Sequence, residues 1–184
     1  MAVSVTEATE SDLDELADVA ARTFPLACPP SATPDNVAAF IAANLSRARF
    51  ADNLVDPDRV VLAARDAERM LGYATLIRGV PDDADVRAAV RLRPAIELSK
   101  MYVLPDAHGA GVSAALMTAT LERARRLGAA CVWLGVNQEN QRGQRFYGKH
   151  GFEATGTKTF RLGTGLEHDY VMVRPLAEAI GPAE

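Results

Sequence analysis

The chain has little with which to build a metal centre or a covalent framework. Its 184 residues include two cysteines and three histidines. Cys28 and Cys131 are too few for a disulfide-stapled fold and lack metal-ligand spacing, so Cys131 reads as core and Cys28 as a loop thiol. His108, His150 and His168 are scattered, and no metal site is signalled. Long apolar runs are also missing. Nothing approaches the roughly 18 to 20 residues that span a bilayer, and the opening "MAVSVTEATESD" has neither the basic nor the apolar region of a secretory leader. A cytoplasmic protein with no membrane partner is the expectation. Basic residues are outnumbered, 20 against 24 acidic, for a net charge of −4. Without a basic stripe there is little to attract nucleic acid.

What is present suits a globular chain: 48% hydrophobic and 24% charged residues, enough to bury one core, expected as a single domain over residues 1–184. The charges separate along the chain. Residues 1–90 carry 15 acidic and 8 basic side chains, a balance of −7, whereas residues 91–184 carry 9 and 12, a balance of +3. The two halves are expected to face different partners.

Periodicity predicts alternating strands and helices with no linker or repeat. Val3–Ala8 alternates like a strand, and Ser11 is placed to cap a helix with Leu13, Leu16, Ala17, Ala20 and Phe24 on one face. After the break at "PLACPPSA", Thr33-Pro34 starts a helix that turns Val37, Phe40, Ile41 and Leu45 inward. Arg59–Arg65 and Met70–Arg78 form a hairpin across "DAE". A strand Ala95–Val103, a helix ending near Leu127 at Gly128, and an apolar strand Cys131–Val136 follow. Helix Asn140–His150 and strands Ala154–Arg161 and Asp169–Val173, joined through "LGTGLEH", complete the chain. The fold class is α/β: a mixed, mostly antiparallel central sheet flanked by helices, with one parallel crossover from Ala95–Val103 to Cys131–Val136.

That crossover carries the sequence's most specific stretch, "VLPDAHGAGVSAALM", Val103 to Met117. Gly109 and Gly111 let backbone N–H groups converge where a helix begins, and the helix dipole adds positive potential, which suits phosphate. A plain turn uses glycine equally well, so these residues alone leave both readings open. "GAGVSA" satisfies the dinucleotide pattern only weakly: the loop lies mid-chain after "PDAH", and the region where an acid would meet a ribose holds Leu134, Gly135 and Val136. No P-loop motif occurs.

Together with "NQRGQRFYGKHGF", Asn140 to Phe152, this stretch resembles the GCN5-related N-acetyltransferase (GNAT) family. The family pattern is a strand ending in Val-x-Pro, a [Q/R]-x-x-G-x-[G/A] loop, and later N-x-x-A-x-x-F-Y-x-x-x-G-F. The segments "ELSKMYVLP", "VWLGV", "FYGKHGF", "TGTKTFRLG" and "HDYVM", with Thr23-Phe24, look like its PaiA-type branch, which acetylates spermidine and spermine. His108 stands where the family has Gln or Arg, Ser113 replaces a small Gly/Ala, and Gly143 replaces Ala.

The resemblance implies transfer of acetyl from acetyl-CoA to an amine, with no metal. It places the coenzyme against Met101, Tyr102 and Val103, its pyrophosphate on His108, Gly109, Ala110, Gly111, Val112, Ser113 and Ala114, its pantetheine near Asn140, and its sulfur near Tyr147. Strand N–H groups stabilise a developing oxyanion, and a phenol is a plausible donor to the departing sulfur. Glu97, four residues before Met101 and on its face by two-residue alternation, is the candidate base; Glu167, His168 and Asp169 are alternatives. Arg142, Arg145 and Lys149 are expected to reach the coenzyme's phosphates. Asp12, Asp14, Glu15, Asp18 and Asp35 of the first helices are expected to wall in a cationic acceptor such as a polyamine. The partners implied are therefore acetyl-CoA and a small amine, and a homodimer is left open. A non-enzymatic acyl-CoA-binding module on the same fold is the alternative.

Overall fold

The computed structural model describes residues 2–176, so the single-domain expectation for 1–184 extends past them at both ends. In chain order the elements are β1 (Ser4–Glu7), α1 (Leu13–Ala27), α2 (Pro34–Asn44), α3 (Arg47–Val55), β2 (Arg59–Arg65), β3 (Met70–Arg78), α4 (Ala84–Ala89), β4 (Ala95–Val103), α5 (Val112–Arg126), β5 (Cys131–Asn137), α6 (Gln141–Lys149), β6 (Glu153–Leu162) and β7 (Gly165–Pro175). The strands form one seven-stranded sheet in the order β1-β2-β3-β4-β5-β7-β6. Every neighbouring pair is antiparallel except β4 and β5, which are joined by the long crossover through α5 that a parallel pair requires.

Strand β5 shows why the sheet needs cover on both sides. Its alternate residues enter two cores: Val132, Leu134 and Val136 join the main cluster with Leu16, Phe50, Tyr73 and Leu116, while Cys131 and Trp133 pack with Val86, Val90 and Val171. Each fully buried large side chain contributes about 1.5 to 3 kcal/mol. An almost wholly apolar strand is what such a position demands.

Two helices escaped the periodicity reading. Helix α3 buries only Phe50 and starts on the Ser46 cap, and α4 is six residues held by the Asp83 carboxylate. Neither presents an apolar stripe long enough to register. Helix α1 begins differently from expectation as well: Ser11 is not its cap. The Asp12 carboxylate accepts the Thr9 N–H at 2.8 Å across a short 3₁₀ turn. Finally, "LGTGLEH" is mostly strand, because β6 and β7 pair as far as Leu162 with Gly165.

Candidate active site

The site begins where the sheet opens. Strands β4 and β5 pair only through Ala95 with Cys131, Ile96 with Val132 and Glu97 with Trp133. Beyond Glu97 the β5-facing edge of β4 has no strand partner among the described residues. On its other edge β4 is paired to β3 throughout, but Thr75 pairs with Lys100 and Leu76 with Leu98, which leaves Ser99 as a bulge. A bulge shifts the alternation by one residue. Glu97, opposite Ile77, therefore shares its face with Lys100, opposite Thr75, and Tyr102, opposite Tyr73. Met101 points the other way, which corrects the two-residue alternation that had aligned it with Glu97.

After β4 the chain makes a short turn and enters α5. Gly109 and Gly111 take φ of +83° and +79°, the left-handed region where a Cβ is strained. A Cβ at either would meet nothing within 4 Å, so the space over the loop is free. Among the described residues the N–H groups of Gly109, Gly111, Val112, Ser113 and Ala114 have no acceptor in the chain. They sit at the positive end of α5, which makes an anion cradle. The His108 ring is hydrogen-bonded through Nε2 to the Val103 carbonyl at 3.0 Å, so this residue ties the loop to the end of β4.

Helix α6 supplies the other wall. Asn140 caps it, accepting the Gly143 N–H at 2.9 Å. A Cβ at Gly143 would lie 2.7 Å from Asn140 Nδ2, so the glycine is what lets this cap fold down. Tyr147 packs edge-on against Phe146 and Phe152, and its hydroxyl has no hydrogen-bond partner among the described residues. Burial pushes the phenol up to about 12, so it keeps its proton across the neutral range.

Two cavities meet at these residues. The outer one, about 370 Å³, is lined by Met101, Tyr102, Val103, His108, Ser113, Asn140, Arg142 and Tyr147, with Thr23 and the end of α1 opposite. Gly109 to Val112 and Ala114 lie beyond its lining, as do Arg145 and Lys149. The inner cavity, about 160 Å³, shares Cys28, Met101, Tyr102, Asn137, Asn140 and Tyr147 with the outer one and runs on to Glu97, Lys100, Lys158, Glu167 and Asp169. His168 is exposed and outside both. Cys28 is half-buried at the junction, its thiol pushed up to about 11 by burial and by the nearby Glu167 charge.

The charged floor of the inner cavity was only half visible in the sequence. Burial raises the Glu97 carboxyl above its ordinary value against the attraction of Lys100, Lys158 and Arg59, and burial lowers the Lys100 ammonium. Lys158 reaches Asp169 at 3.6 Å, and the pair crosses β5 at Gly135, where a Cβ would come within 2.5 Å of Lys158 Cε. A glycine inside an apolar strand was the signal for that close approach. The acidic residues of the first helices are elsewhere. Asp12 and Glu15 hold Arg65, Asp14 holds Arg47, and Asp18 holds Arg22. None lines either cavity, and the wall contributed by α1 and α2 is Phe24, Ala27 and Phe40. The expectation of an acidic wall from these helices is therefore overturned.

This geometry fits acetyl-CoA, with a free anion cradle, an open strand edge and a phenol at the junction. A profile of the Acetyltransferase (GNAT) family matches residues 14–152. An uncharacterized N-acetyltransferase of Mycobacterium tuberculosis (strain H37Rv) is 58% identical over 166 residues, which cover 90% of this chain and 99% of the relative. Among solved structures, the PaiA N-acetyltransferase of Thermoplasma acidophilum in complex with coenzyme A superposes with a TM-score of 0.76 at 17% identity, covering 96% of this chain and all of that one. The ribosomal-protein-S18-alanine N-acetyltransferase of Escherichia coli gives 0.68 at 19% identity over 100% and 99%. The chain belongs to the GNAT family. It is an acetyl-CoA-dependent N-acetyltransferase, and among the described residues no group of side chains could hold a metal ion.

Proposed function

We propose that the enzyme acetylates a small primary amine held in the inner cavity, at the point where β4 leaves β5. The observation that carries this reading is the parting itself: pairing stops at Glu97, and Met101, Tyr102, Asn140 and Tyr147 are shared by the two cavities on either side. In this reading the amides of Met101 and Val103, which face the open edge, hold the pantetheine and take the negative charge that develops on the carbonyl oxygen. The Tyr102 amide between them faces β3, as the Leu104 N–H does in donating to the Leu71 carbonyl, so Tyr102 contributes its side chain rather than its N–H. Within the His108–Ala114 loop the free amides of Gly109, Gly111, Val112, Ser113 and Ala114 hold the pyrophosphate, with Arg142 alongside; the N–H groups of His108 and Ala110 are already bonded to the Pro105 and Ala107 carbonyls. Asn140 has its carbonyl engaged in the cap, which leaves its Nδ2 hydrogens for the pantetheine arm.

Tyr147 donates a hydrogen bond to the departing sulfur. At about 12 it is a weaker acid than a thiol of ordinary pKa about 8.5, so its role is to stabilise charge on sulfur rather than to surrender the proton outright. Glu97 accepts the proton that the amine must lose, directly or through water; its raised affinity for protons moves it toward that task. A thiol-release assay with acetyl-CoA against a panel of amines tests the reading, which requires release that depends on both amine and Tyr147.

A polyamine acceptor is the second reading. Glu97, Glu167 and Asp169 in the inner cavity favour it, together with the similarity to a PaiA enzyme. Each exposed ion pair contributes only about 0.2 to 1 kcal/mol, so several must act at once. Salt would then raise the Michaelis constant for spermidine far more than that for a monoamine of similar length. Equal salt sensitivity would remove this reading and leave the first.

A further inference from the structure

The inner cavity holds positive charge that a polycation does not need. Lys100 and Lys158 both line it. Lys158 has Asp169 at 3.6 Å and lies 5.6 Å from the Phe160 ring centroid. Lys100 is different: among the described residues it has no carboxylate within ion-pair distance. Its Nζ donates to Ser99 Oγ at 3.1 Å and rests 5.8 Å from the centre of the Phe40 ring. Glu97, on the same face of β4, has neither an ion-pair nor a side-chain hydrogen-bond partner among the described residues. A cation and an anion thus stand side by side, neither in an ion pair among the described residues, at the floor of a cavity whose walls include Phe24, Phe40 and Phe160. Half-buried charges left this way are costly unless a ligand completes them.

Resting on the acetyl-transfer reading above, we infer that the acceptor is a carboxylate-bearing primary amine, an amino-acid-like zwitterion with an apolar body. Lys100 recognises the carboxylate, Glu97 receives the ammonium end, and the three phenylalanines cover what lies between. One unpaired ammonium matches one negative charge, which favours a carboxylate over a doubly charged phosphate. A polycation could use Glu167, but with Asp169 already paired to Lys158 it would also set a spare ammonium group against Lys100, a like-charge contact that weighs against it.

Matched pairs that differ only by the carboxylate provide the test: leucine against isoamylamine, and 6-aminohexanoate against pentylamine, with spermidine as a third arm, all followed by thiol release. The expected result is a kcat/KM at least about ten-fold higher for one or both carboxylate-bearing members than for their partners, and a poor spermidine reaction. Lys100→Met should collapse that ratio about ten-fold through KM, and Lys100→Arg, which keeps the charge, should restore most of it. A site built to pair a substrate charge loses discrimination in this way when the pairing group is removed. Preference for the plain amines or spermidine, or a Lys100→Met effect equal on both members of a pair, overturns the inference while acetyl transfer stands. Thiol release with none of the five amines overturns the acetyl-transfer reading for small amines, and this inference with it.

Discussion

Replacing Gly111 by valine separates the anion cradle from the fold that carries it. Gly111 has φ of +79° and precedes α5. A Cβ there meets no atom within 4 Å, so the main cost is backbone strain of about 1 to 3 kcal/mol rather than a clash at the first side-chain atom. Domains of this size lose roughly 2 to 4 °C in Tm per kcal/mol, and total stabilities run to about 5 to 15 kcal/mol, so the variant stays folded. Binding should suffer more. The amides of Gly111, Val112, Ser113 and Ala114 no longer converge, and each hydrogen bond to a charged group contributes about 1.5 to 3 kcal/mol. Losing two of them raises Kd by about 10² to 10⁴. Gly128→Val is the matched control, because Gly128 ends the same helix at φ of +78° with nothing within 4 Å. Calorimetric titration with acetyl-CoA beside a thermal melt should show similar Tm losses for both variants and an affinity loss for Gly111→Val alone. Equal affinities would refute the cradle.

Three further outcomes follow from the same geometry. Tyr147→Phe should lower kcat about 10²-fold, as loss of one preorganised donor does, with coenzyme affinity nearly unchanged; equal turnover would remove its role. Glu97 has its pKa raised by burial, so kcat/KM should fall as pH drops through a value above the ordinary Glu range, and Glu97→Gln should abolish that limb. The stability sign is opposite: a raised folded pKa favours the protonated fold at low pH and is lost as pH rises through it, so Glu97→Gln should melt no lower than wild type at neutral pH. Gly72→Ala would set a Cβ 2.6 Å from the Tyr102 carbonyl oxygen and 3.1 Å from Val103 Cα, costing about 1 to 3 kcal/mol and displacing β4; a Tm within a degree of wild type would show that the strands give way freely.

The sequence was most legible where a local pattern and its structural cause coincide. Gly109 and Gly111 marked a special backbone turn before a helix, and "VWLGV" marked a strand buried on both faces. It was least legible where partners come from afar. Nothing in "ELSKMYV" signals a bulge at Ser99, because the bulge answers to the register of β3 rather than to a glycine. The acidic residues of α1 were read as free, whereas Arg65 arrives from β2 to hold Asp12 and Glu15. Lys100 and Lys158 lie within the quoted segments "ELSKMYVLP" and "TGTKTFRLG" but were given no role there, and only the sheet brings them into one cavity.

The central claim is that the coenzyme lies along the open edge of β4 with its phosphates on the α5 loop. Amide hydrogen exchange with and without acetyl-CoA tests it most directly. Protection should rise together at Met101 and Val103 and at Gly109 and Gly111–Ala114, with β2 unchanged. Protection confined to the loop, or absent from both, would contradict the account.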